Sequence, residues 1–289
     1  MIIDAYVEDE NGAGILQCLR QDWALFHSNR LSLHDQEQLL TELIGEEYVS
    51  KCFILPKDET YINGEKSFKY LNETLRLKNR WFVEWTPLRE ELSDMLVWLM
   101  KELSSGAPYY RGRVMRNGEN LTVSEMGSPP PELASGGRAN PVGIPYLYLA
   151  STKETAFAEI RAKVGQRVAI AEFDICGARI LDLATPRVTA SPFQFEETAQ
   201  VRDAASKMHL LEAIGQSLAQ PHTESEDLNY IPTQYICEFV KSIGFDGVLY
   251  GSSQSEGLNV VLFHPARWSA KNVKYFEIQK VETKCIAID

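Results

Sequence analysis

Between residues 136 and 159 the chain reads GGRANPVGIPYLYLASTKETAFAE, a stretch that sets a loop, a strand and a helix in immediate succession. Gly136, Gly137, Pro141, Gly143 and Pro145 each permit or restrict special backbone geometry, so the loop has few conformations and positions what it carries. It carries Arg138 and Asn140, then delivers the chain into a strand predicted over 146–150. Ser151 and Glu154 have the S-x-x-E spacing of a capping box, which predicts a helix starting there. Ala156, Phe157, Ile160 and Val164 form the apolar stripe of that helix. At about 100° per residue, Glu159 falls roughly 60° beyond the stripe's edge, where a carboxylate can face a cleft.

The rest of the chain has two textures. Up to about residue 105 apolar residues recur at helical spacing, most clearly at 86–106, where Leu88, Leu92, Met95, Leu96, Leu99 and Leu103 share a stripe. Thr86 and Pro87 suit the start of that helix, and Gly106 and Pro108 its end. Weaker helical patterns run over 15–26 and 35–48, and RWFVEW places Trp81 and Trp85 on one helical face. After Tyr109 the chain breaks into short segments rich in β-branched and aromatic residues: YYRGRV, PYLYLA, RVAIAEFDI, ARILDLA, DGVLY, NVVLF and KYFEIQKV. In AIAEFDI the alternation predicts one buried and one partly polar face. A helical insertion at 195–218, a polar loop and a helix at 233–244 separate ARILDLA from DGVLY. The expected fold class is therefore α+β over 107–289, preceded by an all-α domain over 1–106.

Composition narrows the function. A net charge of -11 argues against broad binding to nucleic acid or to an anionic membrane, both of which need a basic footprint. It leaves room for a local arginine pocket around a small anionic ligand. The five cysteines are scattered, with no CxxC pair and no histidine at metal-ligand spacing, so neither a disulfide framework nor a zinc site is expected. The first residues lack the pattern of a signal peptide, no apolar run is long enough to cross a bilayer, and a reducing cytoplasm is the expected compartment.

Taken singly, Arg111, Arg138 and Glu159 have ordinary readings, since a helical glutamate is usually solvated and a loop arginine usually pairs with a surface carboxylate. A second punctuated stretch, GFDGVLYGSSQSEGLNVVLF, changes the balance. It places Ser252 and Ser253 after Tyr250 at the end of one strand and opens the next strand with Asn259. On local grounds it reads as a hairpin. Arg20 and His27 lie seven apart on the 15–26 pattern, a spacing similar to the ribonuclease motif of HEPN helical domains. A helical accessory or dimerisation role is the favoured reading of that half.

Together the two stretches resemble the RES domain family, whose pattern runs from an early arginine strand through GGRWNPxGxPxLYxA and a helix with a glutamate to a late DGxxYxS turn and an NxxLF strand. The matching positions are Arg111 in YYRGRV, Arg138, Tyr148 in LYLA, Glu159, Ser252 in LYGSS and Asn259 in NVVLF. The similarity spans roughly 109–265, with Ala139 where the family commonly has tryptophan. The resemblance implies an ADP-ribosyltransferase-like mixed sheet and consumption of NAD by a toxin. It also implies an Xre-type antitoxin as partner. Water, phosphate and a protein nucleophile are the three acceptors it allows, giving NAD hydrolysis, phosphorolysis or protein ADP-ribosylation. All three begin by breaking the nicotinamide–ribose bond, which builds positive charge on the ribose.

On this reading Arg111 and Arg138 bind the pyrophosphate. Glu159, Arg111 and Ser252 are the expected catalytic residues. Glu159 stabilises the ribose cation or holds its hydroxyls, Tyr148 packs against a ring of the ligand and hydrogen bonds to it through its hydroxyl, and Ser252 and Asn259 fix the nicotinamide ribose or amide. No histidine stands at a partner position that would make Ser252 a covalent nucleophile, and no metal is expected. A homo-oligomer is expected. A non-catalytic nucleotide-binding or interaction module is the alternative of a different class.

Overall fold

A computed structural model of the chain describes residues 2–27, 30–56, 69–83, 89, 93, 96, 99–104, 106–116, 120–220 and 227–282. They divide into two compact units, Met1–Leu99 with Thr185–Ile214, and Met100–Ala184 with Gly215–Asp289.

The first unit is mainly helical but not all-α. Strand β1 (Val7–Gly14) pairs antiparallel with β2 (Cys52–Ile54), with a register shift between Glu8 and Ala13. The shift depends on Gly12, where a Cβ would stand 2.3 Å from the carbonyl oxygen of Phe53. Helix α1 (Ile15–Trp23) and helix α2 (Leu33–Ile44) follow, and Ile15, Leu19, Trp23, Leu40 and Phe53 join Phe195, Val201 and Ala205 in one core. Ser32 and Asp35 form a reciprocal capping box at the start of α2.

The 15–26 helical pattern stops early. Ala24 takes a left-handed conformation, φ 49°, and its N–H closes onto the Leu19 carbonyl. His27 therefore lies beyond the helix, and the spacing that linked it to Arg20 no longer defines a shared face. Trp81 is likewise off any helix and 85% exposed. The Asn79 side chain accepts from the N–H groups of Trp81 and Phe82 and donates to the Phe82 carbonyl, which gives the backbone a local alternative to helical bonding. Trp85 and most of the 86–106 helix, including Leu88, Leu92 and Met95, lie outside the described residues.

The end of that predicted helix is a strand instead. Met100–Glu102 (β3) pairs antiparallel with β7 (Arg179–Asp182), and Leu103 packs into the sheet core. Sheet pairing overrides helical propensity here, because the β7 edge supplies the backbone partners.

The second unit is built on one mixed sheet of eight strands in the order β10-β6-β4-β5-β9-β8-β7-β3. Its other members are β4 (Tyr109–Val114), β5 (Leu147–Ala150), β6 (Arg167–Phe173), β8 (Gly247–Gly251), β9 (Leu258–Leu262) and β10 (Ala270–Glu277). All neighbours are antiparallel except β7 and β8, whose parallel pairing spans the long helical connection between them. That connection holds α4 (Thr198–Ala219) and α5 (Ile231–Ser242), and α3 (Lys153–Glu159) follows β5. Every strand expected after Tyr109 is present, with β10 beginning four residues before KYFEIQKV.

Strand β6 is buried on both faces rather than one, apart from the exposed Arg167 at its start and the half-buried Glu172. Ala169, Ala171 and Phe173 join the large core with Leu147, Leu149, Leu249, Val260 and Leu262. On the opposite face Ile170 packs with Ala150 and Ala156 of α3. The α3 helix therefore lies on the sheet face that also carries Tyr110, Ala150, Asn259 and Tyr250, a row fixed by the register of β4, β5, β9 and β8.

Candidate active site

Helix α3 begins one residue later than the capping-box spacing predicts. Thr152 is the N-cap, its hydroxyl accepting from the Thr155 N–H, while the Ser151 hydroxyl accepts from the N–H of Leu258 at 2.9 Å. Ser151 N–H also donates to the Leu258 carbonyl, so the serine extends the β5–β9 ladder instead of starting the helix. The helix is short and ends at Glu159. Val164, expected on its apolar stripe, is past the end and exposed.

Glu159 at that terminus meets the β8–β9 turn. The Ser252 hydroxyl donates to Glu159 Oε1 at 2.7 Å, and the Asn259 side-chain amide donates to the same oxygen at 2.5 Å. Two donors on Oε1 fix the carboxylate's orientation. Oε2 has no protein donor among the described residues, which leaves it open to a ligand's hydroxyl or positive charge. Ser252 is itself held on both sides, because its oxygen also accepts from the Gln254 N–H at 3.0 Å. Asn259, buried in β9 between Ala150 and Tyr250, owes its position to the ladder on each side.

A cavity of about 270 Å³ adjoins this carboxylate, lined among others by Tyr110, Arg111, Tyr148, Glu159, Tyr250 and Asn259. Arg111, on β4, donates through one terminal nitrogen to the Tyr148 carbonyl at 3.3 Å, and its buried Nε has no hydrogen-bond partner. Desolvation, followed by the nearby charge of Arg113, pulls Arg111 down to about 10, which still leaves it charged at neutral pH. An under-paired guanidinium next to a cavity has donors left with which to bind an anion. Burial pushes the phenols of Tyr148 and Tyr250 above the ordinary tyrosine value, so both remain neutral.

Arg138 reaches a neighbouring point. It donates to the Leu218 carbonyl at 3.2 Å and to the hydroxyl of Ser253, the residue after Ser252, at 3.4 Å. The Tyr148 hydroxyl is not free to bind a ligand, because it donates to Asn140 Oδ1 at 2.7 Å and accepts from the Ala139 N–H at 3.2 Å. Of the six residues singled out in the sequence, Glu159, Ser252 and Asn259 therefore meet at one oxygen. Arg111 and Tyr148 line the same cavity, and Arg138 touches the adjoining turn. Tyr110 and Tyr250 were not singled out as site residues. Their signal was the alternation of β4 and β8, which puts them on the face that carries Asn259. Among the described residues no group of histidine, cysteine, aspartate and glutamate side chains is arranged to hold a metal ion.

Fold and site define an α+β protein with a pocket organised around one anchored carboxylate and one under-paired arginine. The sequence pattern of the RES domain matches residues 112–281, more than half of the chain, and the protein belongs to the RES domain family. Arg138, Tyr148, Glu159, Ser252 and Asn259 fall inside the match, and Arg111 stands one residue before it. Among solved structures the chain is similar to one in the crystal structure of the M. tuberculosis MbcT–MbcA toxin–antitoxin complex, at 17% identity and a TM-score of 0.39, over 65% of this chain and 93% of that one. No curated protein matches the sequence significantly.

Proposed function

We propose that the protein is an NAD-consuming enzyme that breaks the nicotinamide–ribose bond, acting as the toxin of a toxin–antitoxin pair. The observation that carries this reading is the Glu159 carboxylate, with Oε1 tied to Ser252 and Asn259 and Oε2 left open beside the cavity. In the reaction the C–N glycosidic bond breaks, its electron pair leaves with nicotinamide, and the ribose carbon gains positive charge. Glu159 Oε2 stabilises that charge or accepts from a ribose hydroxyl, and it needs no reorganisation because Oε1 is already anchored. Water or phosphate then adds to the same carbon, giving ADP-ribose or ADP-ribose 1''-phosphate and releasing a proton.

Ligand pockets commonly run from about 300 Å³ upward. The cavity at about 270 Å³ therefore suits the nicotinamide–ribose end of the dinucleotide and not the whole of it. Arg111 and Arg138 are assigned to the pyrophosphate. Ser252 is assigned a positioning role, since its proton is engaged by Glu159 and its lone pair by Gln254. The helical half, 1–106, serves as an accessory domain, 107–289 as the catalytic one, and an Xre-type antitoxin and a homo-oligomer complete the reading. The cytoplasm is the compartment in which such an activity reaches NAD.

The test is to follow NAD by NMR with purified full-length protein, with and without inorganic phosphate. Free nicotinamide with ADP-ribose, or with its 1''-phosphate when phosphate is present, is the expected outcome. NAD that stays intact in both conditions, with the fold verified by circular dichroism, contradicts the reading. Nicotinamide release with ADP-ribose retained on protein assigns the protein-modifying branch instead.

A further inference from the structure

Asn140 is 4% exposed and belongs to no strand or helix, yet every polar atom of its side chain is bonded. Its Nδ2 donates to three carbonyls of its own loop, Ser135 at 3.0 Å, Pro141 at 3.1 Å and Ile144 at 3.0 Å. With two N–H groups for three acceptors, one bond is shared. Oδ1 accepts from the Tyr148 hydroxyl at 2.7 Å. Asn140 is thus the hub that folds residues 135–144 into one shape and pins that shape to strand β5.

Arg138 lies at the centre of what is pinned. On its N-terminal side the Gly137 N–H donates to the Asn140 carbonyl at 2.9 Å, and the Gly137 carbonyl accepts from Gln234 of α5 at 2.8 Å. Its own carbonyl accepts from the Thr233 hydroxyl at 2.6 Å. On its C-terminal side the Ala139 N–H donates to the Tyr148 hydroxyl. The closeness of this packing shows at Gly137, where a Cβ would come within 2.6 Å of Asn140 Oδ1 and 2.8 Å of the Tyr148 hydroxyl. In contrast, the guanidinium of Arg138 is held weakly, by one carbonyl at 3.2 Å and one hydroxyl at 3.4 Å. The backbone of this arginine is over-determined while its charged end keeps bonding capacity in reserve. A buried polar network of this kind rigidifies whatever it surrounds, and here it surrounds the only arginine of the loop.

We propose that Asn140 is a positioning residue for substrate binding: through Tyr148 it presents Arg138 in a fixed place for an anionic group, and it takes no part in bond breaking. Tyr148 acts with it, its ring lining the cavity and its hydroxyl serving the loop. The kinetic part of this proposal rests on the reading of the protein as an NAD-consuming enzyme.

The test uses the full-length chain with Asn140→Ala, Tyr148→Phe, Arg138→Ala and the double variant Asn140→Ala/Arg138→Ala. Steady-state NAD cleavage is paired with calorimetric binding of ADP-ribose and with amide hydrogen exchange at Gly137, Ala139 and Gly143. Asn140→Ala is expected to raise KM for NAD about 10-fold with kcat nearly unchanged. It should weaken ADP-ribose to a similar degree and speed exchange at Gly137 and Ala139. Tyr148→Phe, which keeps the ring, should show a smaller effect of the same kind. Adding Asn140→Ala to Arg138→Ala should cost little further affinity, since no guanidinium remains to be positioned.

A fall in kcat at unchanged KM overturns the proposal, as does full additivity in the double variant. Unchanged exchange in the loop also overturns it. If Asn140→Ala fails to fold, Tyr148→Phe carries the same comparison. If the unmodified protein leaves NAD intact, the NAD-consuming reading fails by itself, and hydrogen exchange with ADP-ribose binding still decides whether Asn140 positions Arg138.

Discussion

Arg187 in the first unit and Arg111 in the second are both drawn into protein interior, and they are treated in opposite ways. Arg187 lies in a one-turn helix, Pro186–Thr189. It makes a two-pronged pair with Glu212, Nε to Oε1 at 2.5 Å and a terminal nitrogen to Oε2 at 2.9 Å, and donates to the Asp22 carbonyl at 2.7 Å. Asp22 in turn accepts from the Tyr6 hydroxyl at 3.1 Å. Burial raises the Asp22 carboxyl, an effect that the Tyr6 hydrogen bond and the Arg187 charge oppose. Arg111 has a single carbonyl at 3.3 Å and a buried Nε with no partner. A saturated guanidinium contributes to stability and has little left to offer a ligand. An unsaturated one costs stability, and that cost is recovered when an anion arrives.

The contrast is broken most easily at Arg187. Arg187→Met should lower the unfolding free energy by about 3 kcal/mol, because it strands Glu212 and removes the donor to Asp22. Chemical denaturation measures this, and a variant as stable as the parent would mean that the cluster is as unsaturated as the Arg111 site. Arg111→Met should do the reverse, raising the unfolding free energy by about 1–2 kcal/mol while abolishing ADP-ribose binding. The sign follows from linkage. Arg111's folded value of about 10 lies below its ordinary value, so the burial cost is fully present below about pH 10 and is relieved only above it. The gain from Arg111→Met should therefore be the same at pH 6 and pH 8. A loss of stability at either pH would show that Arg111 is a structural residue.

The two units also differ in how much of them the sequence disclosed. Strands β4 to β9 were readable because each is a short β-branched or aromatic run bounded by turn residues; Ser252 and Asn259 sit at the ends of two of those runs, and Glu159 closes helix α3. That two of these residues converge on one oxygen of the third was not readable. Their meeting depends on the register of β5, β9 and β8, which separates them by 93 and 100 residues along the chain. Ser151 misled for the same reason: its local spacing fits a capping box, and a strand more than a hundred residues away claims its hydroxyl.

Over residues 1–106 local signals competed with long-range pairing and lost more often. The apolar periodicity around Leu99 and Leu103 is sound, but the β7 edge captures Met100–Glu102. The bulged strand β1 has no counterpart among the sequence expectations, because its pairing exists only once Phe53 is brought against Gly12. Asn140 was visible only as part of a stiff loop, since nothing nearby in sequence marks the Tyr148 hydroxyl as the donor that completes its bonding.

Central to the proposed function is the division of labour at Glu159, with one oxygen anchored by Ser252 and Asn259 and the other proposed to face the substrate. Glu159→Gln tests it most directly, with NAD turnover and NAD affinity measured on the same preparation. The amide retains the shape and an acceptor for Ser252 or Asn259 but loses the charge, so turnover should fall by about 10²–10⁴-fold while NAD binding and thermal unfolding stay close to those of the parent. Turnover within about threefold of the parent would contradict the account, because an effect that small leaves no transition-state role for the carboxylate.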